Sequence, residues 1–187
     1  FKLMENDTDR LTSLIREILT ASRIERRKTQ YTFEPCNISS QIHRYIEQNR
    51  IHFRNAEIHL NLQEDIHCPI DPESFHMVIK NLLQNAIRYS PQPASVSIDL
   101  CQSGNNMLLS ISDNGEGIPP KQLKRIFRLF HRASHKKGGT GLGLYIVKNI
   151  VSDHKGKVWA ESAGANSGAT FKVMLPIMYP GLEEGAK

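Results

Sequence analysis

Four short stretches of the 187-residue chain carry residue types and spacings suited to gripping a metal-bound polyanion. Asn81, Asn85, Arg88 and Tyr89 fall at i, i+4, i+7 and i+8, so on a helix they share one face. Phe75, Val78, Ile79, Leu82, Leu83 and Ala86 form an apolar stripe on another. Asn is a middling helix former, and two of them one turn apart beside a core stripe are unusual. A carboxamide oxygen can ligate Mg²⁺, which takes few protein oxygens and keeps waters and substrate phosphates. Taken alone, the pair reads first as two solvated amides.

The second stretch, Asp113-Asn114-Gly115-Glu116-Gly117-Ile118, follows the apolar alternation of Leu109 and Ile111. A carboxylate at a strand end can accept from an exocyclic amine. Gly115 and Gly117 let backbone approach a flat ring, and Ile118 can wall it. An ordinary turn has the same look. In the third stretch, Gly138-Gly139-Thr140-Gly141-Leu142-Gly143-Leu144, glycines run into a helical pattern. A helix N-terminus offers free N–H groups and a positive dipole end to phosphate. No GKS or GKT follows, and no βα turn precedes, so neither a Walker nor a dinucleotide loop is present. A plain helix-entry linker is the alternative. The fourth stretch is Phe127-Arg128-Leu129-Phe130-His131-Arg132. Its two Phe are expected as core plugs, and Arg132 could donate to a terminal phosphate.

The elements that must position these groups read as follows. Residues 1–30 form one helix with a heptad seam, Met4, Leu11 and Ile18, joined by Leu14 and Ala21. Such a helix needs a partner helix. Pro35 and Asn37 mark a break, and a helix runs from Ile38 to about Phe53. Ile58, Leu60 and Leu62 alternate as a strand, with 68–70 a candidate to pair with it. Asp71 caps and Pro72 opens the helix to Tyr89. Val96, Ile98 and Leu100, then Leu109 and Ile111, make a hairpin around Gly104-Asn105-Asn106. A loop and short helix cover 113–130, a helix runs from Gly141 to about Asp153, and two strands close the chain near 158–162 and 169–175. The expected fold is an α/β sandwich: a mixed sheet with helices on one face, plus a long N-terminal helix.

The bulk composition narrows the function classes. The hydrophobic share is 39%, enough for a packed core. The net charge is +5, but the basic residues are scattered and lack aromatic interleaving, so no nucleic-acid partner is expected. The odd set Cys36, Cys68 and Cys101 has no CxxC spacing and reads as reduced thiols. No apolar run approaches the roughly twenty residues of a membrane span. The chain opens at Phe1 rather than Met, so a piece of a longer protein is the expectation.

In order and spacing, the four stretches resemble the ATP-binding domain of sensor histidine kinases, in the superfamily shared with gyrase, the Hsp90 chaperones and MutL (the Bergerat-type fold). Residues 81–91 resemble its N box, 113–118 its first glycine box, 126–132 its F box and 139–144 its second glycine box. Gly168-Ala169-Thr170-Phe171 resembles its last short motif. The resemblance covers residues 35–178. Residues 1–30 resemble the second helix of the kinase dimerisation domain, and 179–187 are a tail.

The resemblance implies ATP and Mg²⁺ as ligands. Asp113 would bond the adenine amine, beside Gly115, Gly117 and Ile118. Tyr89 would lie on the adenine or ribose. Asn85 would hold Mg²⁺, with Asn81 near the phosphates. Arg88 stands where the family more often has Lys. Gly141 and Gly143 would cradle the phosphates through their N–H groups, with Thr140, Leu142, Leu144 and Thr170 also binding the nucleotide. Residues 133–140 would be a lid. Asn81 and Arg132 would be catalytic, Arg132 by stabilising γ-phosphate charge. Asn81 replaces the Glu that activates water in the hydrolysing relatives, which favours transfer over hydrolysis. None of the eight histidines (His43, His52, His59, His67, His76, His131, His135, His154) has the His-Glu context of the acceptor.

The acceptor would therefore sit on a helix absent from this chain, in the same protein or its dimer mate. The implied partners are that helix, a response regulator receiver domain and a second copy in the intact protein. The implied location is the cytoplasmic side of a membrane-anchored bacterial sensor. The alternatives are a non-catalytic nucleotide-binding regulator and an ATPase of the gyrase or chaperone type.

Overall fold

The structure, a computed structural model, describes residues 12, 14, 15, 17–22, 29–132 and 139–177. Residues 12, 14, 15 and 17–22 are helical and are called α1. The elements then run β1 (Glu34–Asn37), α2 (Ile38–Gln48), β2 (Ala56–Leu62), β3 (His67–Ile70), α3 (Pro72–Tyr89), β4 (Ala94–Ser103), β5 (Asn106–Asp113), α4 (Gly143–Asp153), β6 (Lys157–Glu161) and β7 (Ala169–Pro176). Met4 and Leu11 of the expected seam, most of the expected lid and the C-terminal tail lie outside the described residues.

Five strands form a mixed sheet in the order β2-β4-β5-β7-β6. Only β2 and β4 run parallel. Alternation decides its faces. Val96, Ile98 and Leu100, then Met107, Leu109 and Ile111, then Phe171, Val173 and Leu175 are all buried. They pack beneath the apolar stripes of α3 (Phe75, Val78, Ile79, Leu82, Leu83, Ala86) and α4 (Ile146, Val147, Ile150, Val151). This is the expected α/β sandwich. Helix α3 starts as its sequence dictates: the Asp71 side chain accepts from Ser74 N–H at 2.8 Å, and Pro72 occupies the first turn.

Four local expectations need correction. Residues 68–70 do not pair with β2. Strand β3 instead pairs antiparallel with β1, Cys36 opposite Cys68, in a separate two-stranded ribbon. The α-helix from Ile38 stops at Gln48, where Asn49 donates through Nδ2 to the Tyr45 carbonyl, and a 3₁₀ turn, Arg50–Phe53, follows. After Pro119-Pro120 there is no helix. Repeated i+3 bonds, Gln122 to Pro119, Arg125 to Gln122 and Arg128 to Arg125, make a string of turns instead. Phe127 is a core plug, its ring 6.5 Å from that of Phe171, but Phe130 is 65% exposed with φ of 56°, because the chain reverses there.

Candidate functional site

The cleft is built on the last turns of α3. Asn81, Asn85, Arg88 and Tyr89 line one wall, as their helical spacing predicts. Asn81 donates through Nδ2 to the Met77 carbonyl at 2.8 Å. Its Oδ1 lies against Gly143, where a Cβ would sit 2.7 Å away, so a side chain at 143 would displace the Asn81 carboxamide. The Asn85 carboxamide makes no hydrogen bond among the described residues. Arg88 reaches Gly139 across the mouth: a Cβ there would meet its guanidinium at 2.7 Å.

Strand β5 delivers Asp113 to the opposite wall. Its Oδ1 accepts from Gly115 N–H at 2.8 Å and Ala169 N–H at 3.1 Å. Its Oδ2 has no hydrogen bond among the described residues. Burial pushes this carboxyl above the usual Asp range, and the two amide bonds pull the other way. The loop after it is pinned from several sides. Glu116 N–H donates to the Tyr89 carbonyl at 3.0 Å, and Ile118 N–H to Ser162 Oγ at 2.9 Å. Ser162 in turn donates to the Gly168 carbonyl at 2.7 Å. Gly117 has φ of 69°, and a Cβ on it would land on the Gly164 carbonyl oxygen. Only glycine permits this crossing.

Helix α4 supplies the third wall. Its N-terminus has no side-chain cap, so the first-turn N–H groups of Gly143 and Leu144 are open to a ligand. Gly141, with φ of 73°, turns the chain into the helix hard against the Phe130 and His131 backbone. Thr140 Oγ1 accepts from Leu142 N–H at 3.1 Å and donates to Glu17 of α1 at 2.6 Å.

Together these walls enclose a cavity of about 830 Å³. Asn81, Asn85, Arg88, Tyr89, Asp113, Gly117, Ile118, Arg132, Thr140, Gly141, Gly143 and Leu144 all line it. Three expected residues do not. Thr170 lies on the other face of β7, where its hydroxyl meets Ser112 Oγ at 2.9 Å, while its neighbours Ala169 and Phe171 face the cavity. Leu142 is 1% exposed and packs in the core. Gly115 serves through its N–H on Asp113. Helical spacing could also have found Gln84; Leu14 was marked only as part of the heptad seam, and no local pattern marks Glu17, Ser162 or Ala165.

The donors present fit a magnesium nucleotide. The described residues hold no cluster of three His, Cys, Asp or Glu able to cage an ion. Asn85, with its unbonded carboxamide in the cavity, is the kind of single oxygen donor that Mg²⁺ accepts when phosphates and water complete its shell.

An acidic acceptor for an amine, an uncapped helix N-terminus and an amide donor in one apolar-walled cleft of a mixed sandwich define a nucleotide-binding domain. The chain belongs to the family described as histidine kinase-, DNA gyrase B-, and HSP90-like ATPase, which matches residues 70–178. Within it, this is the ATP-binding domain of the sensor histidine kinase kind. Sensor histidine kinase WalK of Bacillus subtilis (strain 168) is 32% identical over 180 residues, covering 92% of this chain and 29% of that protein. The solved mycobacterial sensor histidine kinase MprB is 29% identical with a TM-score of 0.70, covering 78% of this chain and 97% of that one. Histidine kinase ThkA, solved in complex with response regulator protein TrrA, is 24% identical with a TM-score of 0.75, covering 94% of this chain and 50% of that one, and shares the fold. The chain spans about three-tenths of the length of the curated relatives it matches. No helix among the described residues is long and apolar enough to cross a membrane.

Proposed function

We propose that this domain binds Mg·ATP and transfers the γ-phosphoryl group to a histidine on a dimerisation helix outside this chain. The observation that carries the reading is Asp113, whose Oδ1 is saturated by two backbone amides while Oδ2 is left for the adenine amine. Tyr89 flanks the base. The open amides of Gly143 and Leu144 and the α4 dipole hold the phosphates. Asn85 would hold Mg²⁺, which would offset the charge of the phosphates. Arg132 stabilises the charge that develops on the transferred group. Asn81 cannot take a proton from water, so the cleft favours transfer over hydrolysis. The relatives named as sensor histidine kinases support the same reading.

In the intact protein, the phosphorylated histidine passes its group to a response regulator, and the acceptor helices pair two copies. Such a protein is a membrane-anchored bacterial sensor with this domain on the cytoplasmic side. The test mixes this chain with a separately made acceptor-helix domain and γ-labelled ATP. Label on the acceptor histidine, lost with Asp113→Asn, is expected. Tight ATP binding without transfer to any acceptor would mark a nucleotide-gated regulator instead.

A further inference from the structure

Outside the nucleotide cavity, one buried histidine joins three parts of the chain. His154, just past α4, is 2% exposed. Its Nδ1 lies 2.8 Å from the Ile150 carbonyl, and its Nε2 accepts Asp71 N–H at 3.1 Å. Those two bonds require the neutral tautomer with hydrogen on Nδ1. The rings of Tyr31 and Phe33 meet the imidazole edge-on, at 5.1 and 4.9 Å between centroids. The Tyr31 hydroxyl donates to Asp153 Oδ2 at 2.9 Å, and Thr32 N–H donates to Asp71 Oδ2 at 2.9 Å. Asp71 Oδ1 meanwhile caps α3. Residues 31–33 lie between α1 and β1, and none of these groups lines the nucleotide cavity.

We propose that Asp71, Asp153 and neutral His154 form a clamp that fixes residues 31–33 to the ATP-binding domain, and that they are positioning residues for phosphoryl transfer because they set the direction in which the preceding helix leaves that domain. The effect on transfer rests on the kinase reading above; the clamp itself does not. Three consecutive residues are each held by a different group, which fixes the path of the segment as well as its attachment. The cleft meanwhile must face a histidine carried on the helices that precede the segment, so the segment's angle sets the distance between γ-phosphate and acceptor.

The clamp has a built-in pH limit. A proton on Nε2 would set a second donor against Asp71 N–H and break that bond. Among the described residues, the titratable groups facing the ring include the Asp71 and Asp153 carboxylates and the Tyr31 hydroxyl. The carboxylates favour the imidazolium, but burial outweighs them and holds the imidazole below its ordinary 6.5. The clamp is therefore closed at neutral pH and opens as pH falls through that depressed value.

The test is residue-resolved amide exchange on this chain, together with transfer kinetics in the kinase that carries the acceptor helix ahead of it. Tyr31→Phe and Asp153→Ala each remove one bond at a surface-accessible position and should keep the fold, while His154→Gln reports on the ring. Protection of the Thr32 amide should fall about fivefold or more in Tyr31→Phe and Asp153→Ala. It should return with Asp153→Asn, which keeps an acceptor oxygen, and should fall in the wild type as pH drops below the ordinary imidazole value of 6.5 and through the depressed one. KM for ATP should stay unchanged while kcat for histidine labelling drops. Thr32 exchange that is unprotected in the wild type, or indifferent to both variants, overturns the clamp. Exchange that responds while kcat does not overturns the positioning role. A wild type that binds ATP and never labels a histidine removes the kinase reading, and the exchange data still decide the clamp.

Discussion

Replacing Asp113 with Asn should invert the hydrogen-bonding character of the base pocket at little cost to the fold. In the native protein Oδ1 holds Gly115 N–H at 2.8 Å and Ala169 N–H at 3.1 Å. An Asn carbonyl can keep both bonds, which places the NH₂ where Oδ2 stood. A donor then faces the 6-amino group of adenine, itself a donor. The loss is one hydrogen bond to a charged group, about 1.5–3 kcal/mol. At about 1.4 kcal/mol per tenfold, Mg·ATP should bind about 10- to 150-fold more weakly. Guanine carries an acceptor oxygen at the same ring position, so Mg·GTP should lose much less than Mg·ATP through this exchange of donor for acceptor. Burial already disfavours the ionised carboxyl, so the neutral amide should leave the melting temperature unchanged or slightly higher. Calorimetric titration of both nucleotides into both proteins, with a melt of each, measures all three effects. An ATP dissociation constant within about twofold of native in a folded Asp113→Asn protein would refute the assignment of Asp113 to the base.

Other expectations follow from the same geometry. Leu82→Ala empties a fully buried site under α3 and should cost about 2–5 kcal/mol in denaturant unfolding, with the m-value kept. Gly117→Ala forces a left-handed backbone and a collision with the Gly164 carbonyl, so it should cost more than about 1 kcal/mol and weaken ATP binding. The imidazole of His154 titrates below 6.5 when folded and near 6.5 when unfolded, so between those values the unfolded chain binds more protons. Its contribution is full above about pH 6.5 and is lost as pH falls toward the folded value, readable as a falling midpoint in melts at stepped pH. Chelating Mg²⁺ should weaken ATP binding in the native protein, and Asn85→Ala should blunt the dependence on added Mg²⁺ in the same titration.

Much of the site was legible because its parts are local. Asn81, Asn85, Arg88 and Tyr89 lie within three turns of one helix, and helical periodicity alone puts them on one wall. The cap at Asp71 and the hairpin of β4 and β5 are likewise set by neighbours in sequence. What escaped is set by distant chain. Pro35 and Pro69 sit opposite each other in the β1–β3 ribbon; Pro35 read as a break hid β1, and with it the true partner of 68–70. Thr170 was placed by its motif, yet strand alternation turns it toward Ser112 and gives the cavity to Ala169 and Phe171. Ser162 holds the Asp113 loop from 44 residues away, and Glu17 meets Thr140 across 123, separations at which no spacing rule operates.

The most direct measurement is a crystal structure of this chain with Mg²⁺ and a non-hydrolysable ATP analogue. The adenine amine is expected on Asp113 Oδ2, the phosphates against the first-turn amides of α4, and the ion on Asn85. A nucleotide bound elsewhere, or a base in this cleft that leaves Asp113 untouched, would contradict it.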